Sequence, residues 1–170
     1  IENLAIRNAS YSGDGSLTYT DKFGAVRGYG APAAGIYTER AHDLATRGVP
    51  YVGQLGLRIE RFAAGEVDMR LPWQELLLRP GGTVCGPAMM GLADVTLYGV
   101  VLSLIGRVEL TVTTDLTFHF LSRPRPADLL AEGRILRLGR RLAIGEVTVF
   151  SEGGDKPVAQ GEAVAGALAE

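Results

Sequence analysis

Arg79-Pro80-Gly81-Gly82-Thr83-Val84-Cys85-Gly86-Pro87-Ala88-Met89-Met90-Gly91-Leu92-Ala93-Asp94 carries a glycine-rich loop into the most apolar segment of the chain. From Pro87 to Ile105 there are nineteen residues with one charge, Asp94, and only Thr96 and Ser103 as further clearly polar side chains. This composition predicts a long helix starting near Pro87, where a proline loses nothing because the first N–H groups of a helix have no partner inside it. Gly106 stands just past the run, where helices favour a left-handed cap. The run also has the length of a membrane span, but an aspartate near its middle costs roughly 2.5–3.5 kcal/mol on the insertion scale. Gly91 and Gly99 dilute its hydrophobicity and both flanks read as strands, so a buried core helix is the expectation. An ionised carboxylate buried without a partner costs on the order of several kcal/mol, which makes Asp94 the residue to account for.

Working back from the loop, Glu66–Leu71 alternates with Val67, Met69 and Leu71 on one face, and Gln54–Phe62 does so with Leu55, Leu57 and Ile59. Ala63-Ala64-Gly65 joins the two as a hairpin turn. The spacing of Ile36, Tyr37 and Leu44 predicts a short amphipathic helix from Ala33 to Arg47, stopped by Gly48 and Pro50. Residues 1–34 show no sustained period and read as an irregular arm, flexible or foreign to the native chain. An Asp14-Gly15 hairpin between Ala9–Ser12 and Ser16–Thr20 is the alternative. Working forward, the period switches to two, and Val108–Leu121, Asp128–Leu138, Arg141–Ser151 and Pro157–Leu168 read as four strands. Antiparallel hairpins around one wholly apolar helix make an α+β domain over 35–170, in which a curved sheet wraps the helix.

A chain of 170 residues with 46% apolar and 21% charged residues suits one soluble domain with a sizeable core. The net charge of −2 offers no electrostatic basis for binding nucleic acid. Cys85 is the only cysteine, which excludes an intramolecular disulfide. The opening lacks a basic, apolar, small-residue signal pattern and begins with Ile, as a trimmed sequence would; a cytoplasmic location without membrane attachment is expected. No His, Cys, Asp and Glu cluster has metal-ligand spacing, so neither a metal nor another cofactor is expected.

Arg79-Pro80-x-Gly82-Thr83-Val84-Cys85-Gly86-Pro87, followed by Leu92-Ala93-Asp94, resembles the Asn-Pro-x-Gly-x-x-His-Gly-Gly and Leu-Ala-Asp signature of the hotdog-fold thioesterases. The branch it is similar to hydrolyses phenylacetyl-type and related acyl-CoA thioesters. Thr113-Thr114-Asp115-Leu116, Phe120-Leu121-Ser122-Arg123-Pro124, Asp128 with Ala131-Glu132-Gly133-Arg134, and Gly139-Arg140-Arg141-Leu142 resemble that family's central strands. The likeness spans roughly 48–168 and implies a hotdog fold. At the reaction centre Arg79 replaces the usual Asn, and Cys85-Gly86-Pro87 replaces His-Gly-Gly.

The resemblance implies that the Gly86 backbone N–H, at the positive end of the helix, polarises the thioester carbonyl. It implies Asp94 as base or nucleophile and Thr113 as a residue that orients water. Eight residues of helix separate Gly86 from Asp94, roughly 12 Å at ~1.5 Å per residue, so one carbonyl cannot be held by both in one subunit. The resemblance implies a dimeric site in which two copies face each other, as a homodimer or dimer of dimers. Arg123, Arg140 and Arg141, within a local concentration that includes Arg125, Arg134 and Arg137, read as a clamp for coenzyme A phosphates or as solvated hairpin ends.

Each functional reading has a structural counterpart. Asp94 also reads as a helix residue satisfied by a hydroxyl or a backbone donor, and Gly82 and Gly86 as turn residues that let the helix start. Cys85 lies beside a helix start, which can lower a thiol pKa, but it reads as a small packed residue because neither His42 nor His119 forms a recognisable pair with it. His119 alternates onto the face opposite Leu116, Phe118 and Phe120 and reads as a surface or interface side chain. A non-catalytic module that binds acyl-CoA or a protein partner is the rival function. A dehydratase fits poorly, since that chemistry calls on a histidine the loop lacks.

Overall fold

The computed structural model describes residues 7–11, 17–20, 26–29, 49–105, 111–139 and 141–167. Strands β1 (Arg7–Tyr11), β2 (Leu17–Thr20) and β3 (Val26–Tyr29) pair antiparallel into a three-stranded sheet, where the sequence reads as an irregular arm. The β1–β2 pairing corresponds to the alternative hairpin. The helix expected over 33–47 and the Gly106 cap lie outside the described residues.

Helix α1 (Pro50–Leu55) corrects one boundary. Pro50 opens this helix, since a first-turn proline has a suitable fixed φ and no N–H to waste. Gly56, at φ 67°, ends it, and Val52 and Leu55 are buried from this helix rather than from a strand. Strand β4 (Arg58–Ala63) therefore begins four residues later than its expected Gln54, and β5 (Glu66–Leu71) lies where the alternation predicts it. A 3-10 turn (Glu75–Leu77), β6 (Leu78–Arg79) and β7 (Thr83–Val84) lead into α2 (Gly86–Ile105). Strands β8 (Thr111–Phe120), β9 (Leu129–Leu138), β10 (Leu142–Ser151) and β11 (Pro157–Ala167) complete the chain.

The main sheet runs β4-β5-β9-β10-β11-β8, with every neighbouring pair antiparallel. Helix α2 lies across one face, chiefly against β9, β5 and β10, which is the hotdog architecture. It is long and apolar enough to cross a membrane, yet it serves here as the core helix of the sheet. Its apolar surface extends all round, and the sheet selects one stripe: Ala88, Met89, Leu92, Ala93, Thr96, Leu97, Val100, Val101 and Leu104 are buried. Each fully buried leucine or valine there contributes roughly 1.5–3 kcal/mol. The two hydroxyls bond within the helix, Thr96 Oγ1 to the Leu92 carbonyl at 2.7 Å and Ser103 Oγ to the Val100 carbonyl at 2.6 Å.

The close approach of helix and sheet depends on two glycines. A Cβ on Gly133 of β9 would stand 2.8 Å from Thr96 Cγ2, and one on Gly145 of β10 would stand 2.9 Å from Leu97 Cδ2. At the sheet's margin, β8 pairs with β11 alone among the described residues, so its other edge presents ten residues of backbone without a neighbour.

Candidate active site

The loop ahead of α2 is a tight hairpin. Leu78 pairs with Val84 and Arg79 with Thr83, and the Gly82 N–H donates to the Arg79 carbonyl at 3.1 Å. Pro80 second and Gly81 third, the latter at φ 98°, is the residue pattern of a type II turn, and Gly82 follows at φ 70°. Gly82 therefore serves the turn. The Arg79 Nε donates to Thr83 Oγ1 at 2.9 Å, which holds the start of that side chain beside the hairpin. The Cys85 N–H donates to the Leu77 carbonyl at 2.8 Å, so the chain enters α2 in a fixed direction.

The first turn of α2 carries no acidic residue, so no carboxylate of its own answers the positive end of the helix. Gly86 lies against the Phe120 ring: a Cβ there would stand 3.2 Å from Cζ. Phe118 and Phe120 meet edge to face with centroids 5.1 Å apart, which places the terminal ring of β8 over the helix start. A cleft of about 410 Å³ opens here, lined by Arg79, Val84, Gly86, Met89, Phe120, Leu121, Ser122, Arg123 and Pro124. The 121–128 loop is pinned: Leu121 and Ser122 N–H both donate to the Val158 carbonyl, and Arg125 N–H to Ser151 Oγ at 3.0 Å. The Trp73 N–H donates to Asp128 at 2.8 Å and, with the Arg70 guanidinium at 3.0 Å, holds that carboxyl below the usual carboxylate range.

Two turns along α2, Asp94 is half-buried rather than enclosed, and Thr113 Oγ1 donates to its Oδ1 at 2.6 Å. Simple alternation along β8 would point Thr113 with Asp115 and Thr117, away from Leu116, Phe118 and Phe120. The register breaks between Val164↔Asp115 and Ala165↔Thr113, leaving Thr114 as the extra residue of a bulge, its hydroxyl donating to the Val164 carbonyl at 3.0 Å. The bulge re-aims Thr113 toward the helix. Asp94 thus has the hydroxyl partner that the structural reading asked for, and that partner sits on the marginal strand of the sheet among the described residues.

The sheet separates residues that the sequence grouped. Arg123 lines the cleft at the Gly86 end, whereas Arg141 and Arg137 line a second cleft of about 500 Å³ with Gly139, Leu142 and Ile144. Leu142 lies opposite Gly166, itself opposite Val112, so that second cleft is at the Thr113 end of the sheet. Thr113 and Phe120 are seven residues apart, roughly 20 Å along a strand. Arg140 and His42 lie outside the described residues. Cys85 is a free, half-buried thiol, Pro87 is exposed on the first turn, and His119 is exposed opposite Gln160. Among the described residues no three His, Cys, Asp or Glu side chains could hold a metal ion. Phe120 and Met89 are lining residues that the sequence does not single out; the signal for Phe120 is its place at the end of an apolar alternation that runs to the helix start.

Residues 81–158 match the model of the thioesterase superfamily, while no curated protein matches the chain. Among solved structures, a chain classed as a thioesterase from Silicibacter sp. TM1040 is 41% identical with a TM-score of 0.69, over 76% of this chain and 90% of that one. A conserved protein from Pseudomonas aeruginosa is 29% identical with a TM-score of 0.65, over 71% and 94%. A mutant of the phenylacetic acid degradation protein PaaI from Thermus thermophilus is 25% identical with a TM-score of 0.63, over 71% and 100%.

Proposed function

The chain belongs to the thioesterase superfamily, and from that premise we propose that it hydrolyses an acyl-CoA thioester to the free acid and coenzyme A. The reacting carbonyl lies between two copies of the chain, its oxygen on the Gly86 N–H of one and its carbon facing Asp94 of the other. Asp94 either takes a proton from water, whose oxygen then adds to the carbonyl carbon, or attacks that carbon itself. The oxyanion formed on Gly86 collapses, the C–S bond breaks, and the thiolate of coenzyme A leaves and takes up a proton; where Asp94 itself attacked, water then cleaves the mixed anhydride, releasing the acid and restoring the Asp94 carboxylate. Thr113 holds the Asp94 carboxylate in position. The observation that carries this reading is the Thr113–Asp94 hydrogen bond on β8, the marginal strand of the sheet among the described residues, because it presents the carboxylate at an edge that a second copy can approach.

Arg141, with its neighbour Arg140, is then the candidate for the phosphates of coenzyme A. The reaction needs no metal or cofactor, and a cytoplasmic homodimer or dimer of dimers belongs to the same reading. The name of the PaaI relative, a phenylacetic acid degradation protein, makes aromatic acyl groups worth assaying first. The test is release of free thiol from a panel of aromatic and medium-chain acyl-CoA esters by wild type and Asp94→Asn. Turnover by the wild type that falls by about 10³-fold or more in the variant is expected. Equal turnover by both on every ester would remove Asp94 from the mechanism, and tight binding of the esters without turnover would select a non-catalytic acyl-CoA module.

A further inference from the structure

Three arginines of the described chain are ion-paired; Arg58, Arg125, Arg137 and Arg141, like Arg79 and Arg123, are in no such pair among the described residues. Arg61 pairs with Glu66 and Asp68, Arg70 with Glu60, Asp128 and Glu152, and Arg134 with Glu146, so these cations have carboxylates of the chain beside them. Arg79 and Arg123 line one cleft with apolar walls of Val84, Met89, Phe120 and Leu121, and that lining contains no carboxylate. Neither forms an ion pair among the described residues; Arg79 has only its bond to Thr83, a neutral hydroxyl. Both are carried on hydrogen-bonded backbone segments, the β6–β7 hairpin and the pinned 121–128 loop, and both line the same cleft. Two such cations over an apolar slot make a receptor for one anionic group at the end of a short apolar chain.

We propose that the acyl group of the substrate carries a carboxylate and that Arg79 and Arg123 bind it. This rests on the thioester hydrolysis proposed above. Distance decides between this anion and the phosphates of coenzyme A. Gly86, which would hold the carbonyl, lies on the wall of the same cleft as Arg79 and Arg123. The first phosphorus of coenzyme A is about thirteen bonds from the thioester sulfur, about 15 Å when extended at ~1.2 Å per bond. An acyl carboxylate three or four carbons from the carbonyl reaches across about 5 Å and stays inside. The replacement of the family's Asn by Arg79 thus changes which acyl groups fit.

The test compares glutaryl with pentanoyl thioesters, which differ by carboxylate against methyl, each joined to coenzyme A and to phosphate-free N-acetylcysteamine. Wild type is expected to prefer glutaryl by about tenfold or more in kcat/KM with either thiol, because a site built for a polar group rejects the analogue lacking it. In Arg79→Gln and Arg123→Gln the preference falls below about twofold, while Arg61→Gln, on the β4–β5 hairpin, retains it. A wild-type ratio near one overturns the proposal. So does a loss in the two cleft variants that is equal for both acyl groups and confined to coenzyme A esters, which would assign the arginines to phosphate. Calorimetric binding of the two coenzyme A esters to Asp94→Asn repeats the comparison without turnover. Hence absence of hydrolysis overturns the function proposed above, whereas equal affinity for the two esters overturns this one.

Discussion

The two ends of the face that α2 shares with β8 offer a thioester opposite things. The Gly86 end holds backbone N–H groups, the positive end of a helix and two arginines, with an aromatic ring packed over the helix start. The Asp94 end holds a carboxylate and the hydroxyl that bonds it. One end can stabilise negative charge and the other can supply it, and roughly 12 Å of helix keeps them apart within one chain. In the proposed mechanism each end is half of a site, and that is why the edge of β8 without a neighbour among the described residues bears on the chemistry as well as on assembly.

The sharpest way to break this comparison is complementation. Asp94→Asn and Gly86→Pro, the latter removing the N–H donor, should each lower turnover by about 10³-fold alone, since each removes one half of the site. Mixed by co-expression, about half the dimers are hybrids holding one intact site of two, so about a quarter of wild-type activity returns. A mixture as inactive as its parents, with hybrids shown by differential tagging, would place both residues in one subunit's site. A smaller effect comes from the hydroxyl. Thr113→Val should lower kcat by about tenfold and Thr113→Ser should recover most of it, because a hydrogen bond to a charged group is worth about 1.5–3 kcal/mol. Full activity in Thr113→Val, with loss only in Thr113→Ser, would make the threonine methyl, not the hydroxyl, the contributor.

The smallest effect concerns the loop that carries Arg123. The folded Asp128 carboxyl is held low by the Trp73 N–H and by Arg70, so its contribution to stability is present above the unfolded pKa, near 3.9, and disappears as pH falls through the lower folded value. Asp128→Asn should lose about 1 kcal/mol at pH 7, with the gap to wild type closing below about pH 4 in denaturant titrations. A gap constant from pH 7 to pH 3 would mean that Asp128 acts there through packing and not through its charge.

The helix could be read from its apolar run and the start and stop residues around it, and the four later strands and the β4–β5 hairpin from their period of two. What could not be read was which stripe of α2 faces the sheet, since a helix apolar on all sides carries no such information. Pro50 was ambiguous in the same way, because proline both ends helices and starts them. The link from Thr113 to Asp94 was hidden by the Thr114 bulge: the alternation of β8 predicts the wrong face for Thr113, and nothing in Thr-Val-Thr-Thr-Asp distinguishes a bulge from a regular strand. Arg123 and Arg141 looked like members of one basic cluster because sequence distance was the only distance to be had. The length of β9 between them puts them at opposite ends of the sheet.

Gly133 and Gly145 touch no proposed substrate, yet a methyl group at either would push against α2 at Thr96 or Leu97, within three residues of Asp94. The bond from Thr113 to Asp94 is 2.6 Å long and tolerates only tenths of an ångström. Two positions deep in the sheet therefore set the spacing on which the proposed catalytic pair depends, and an alanine at either would be felt at Asp94 through the helix.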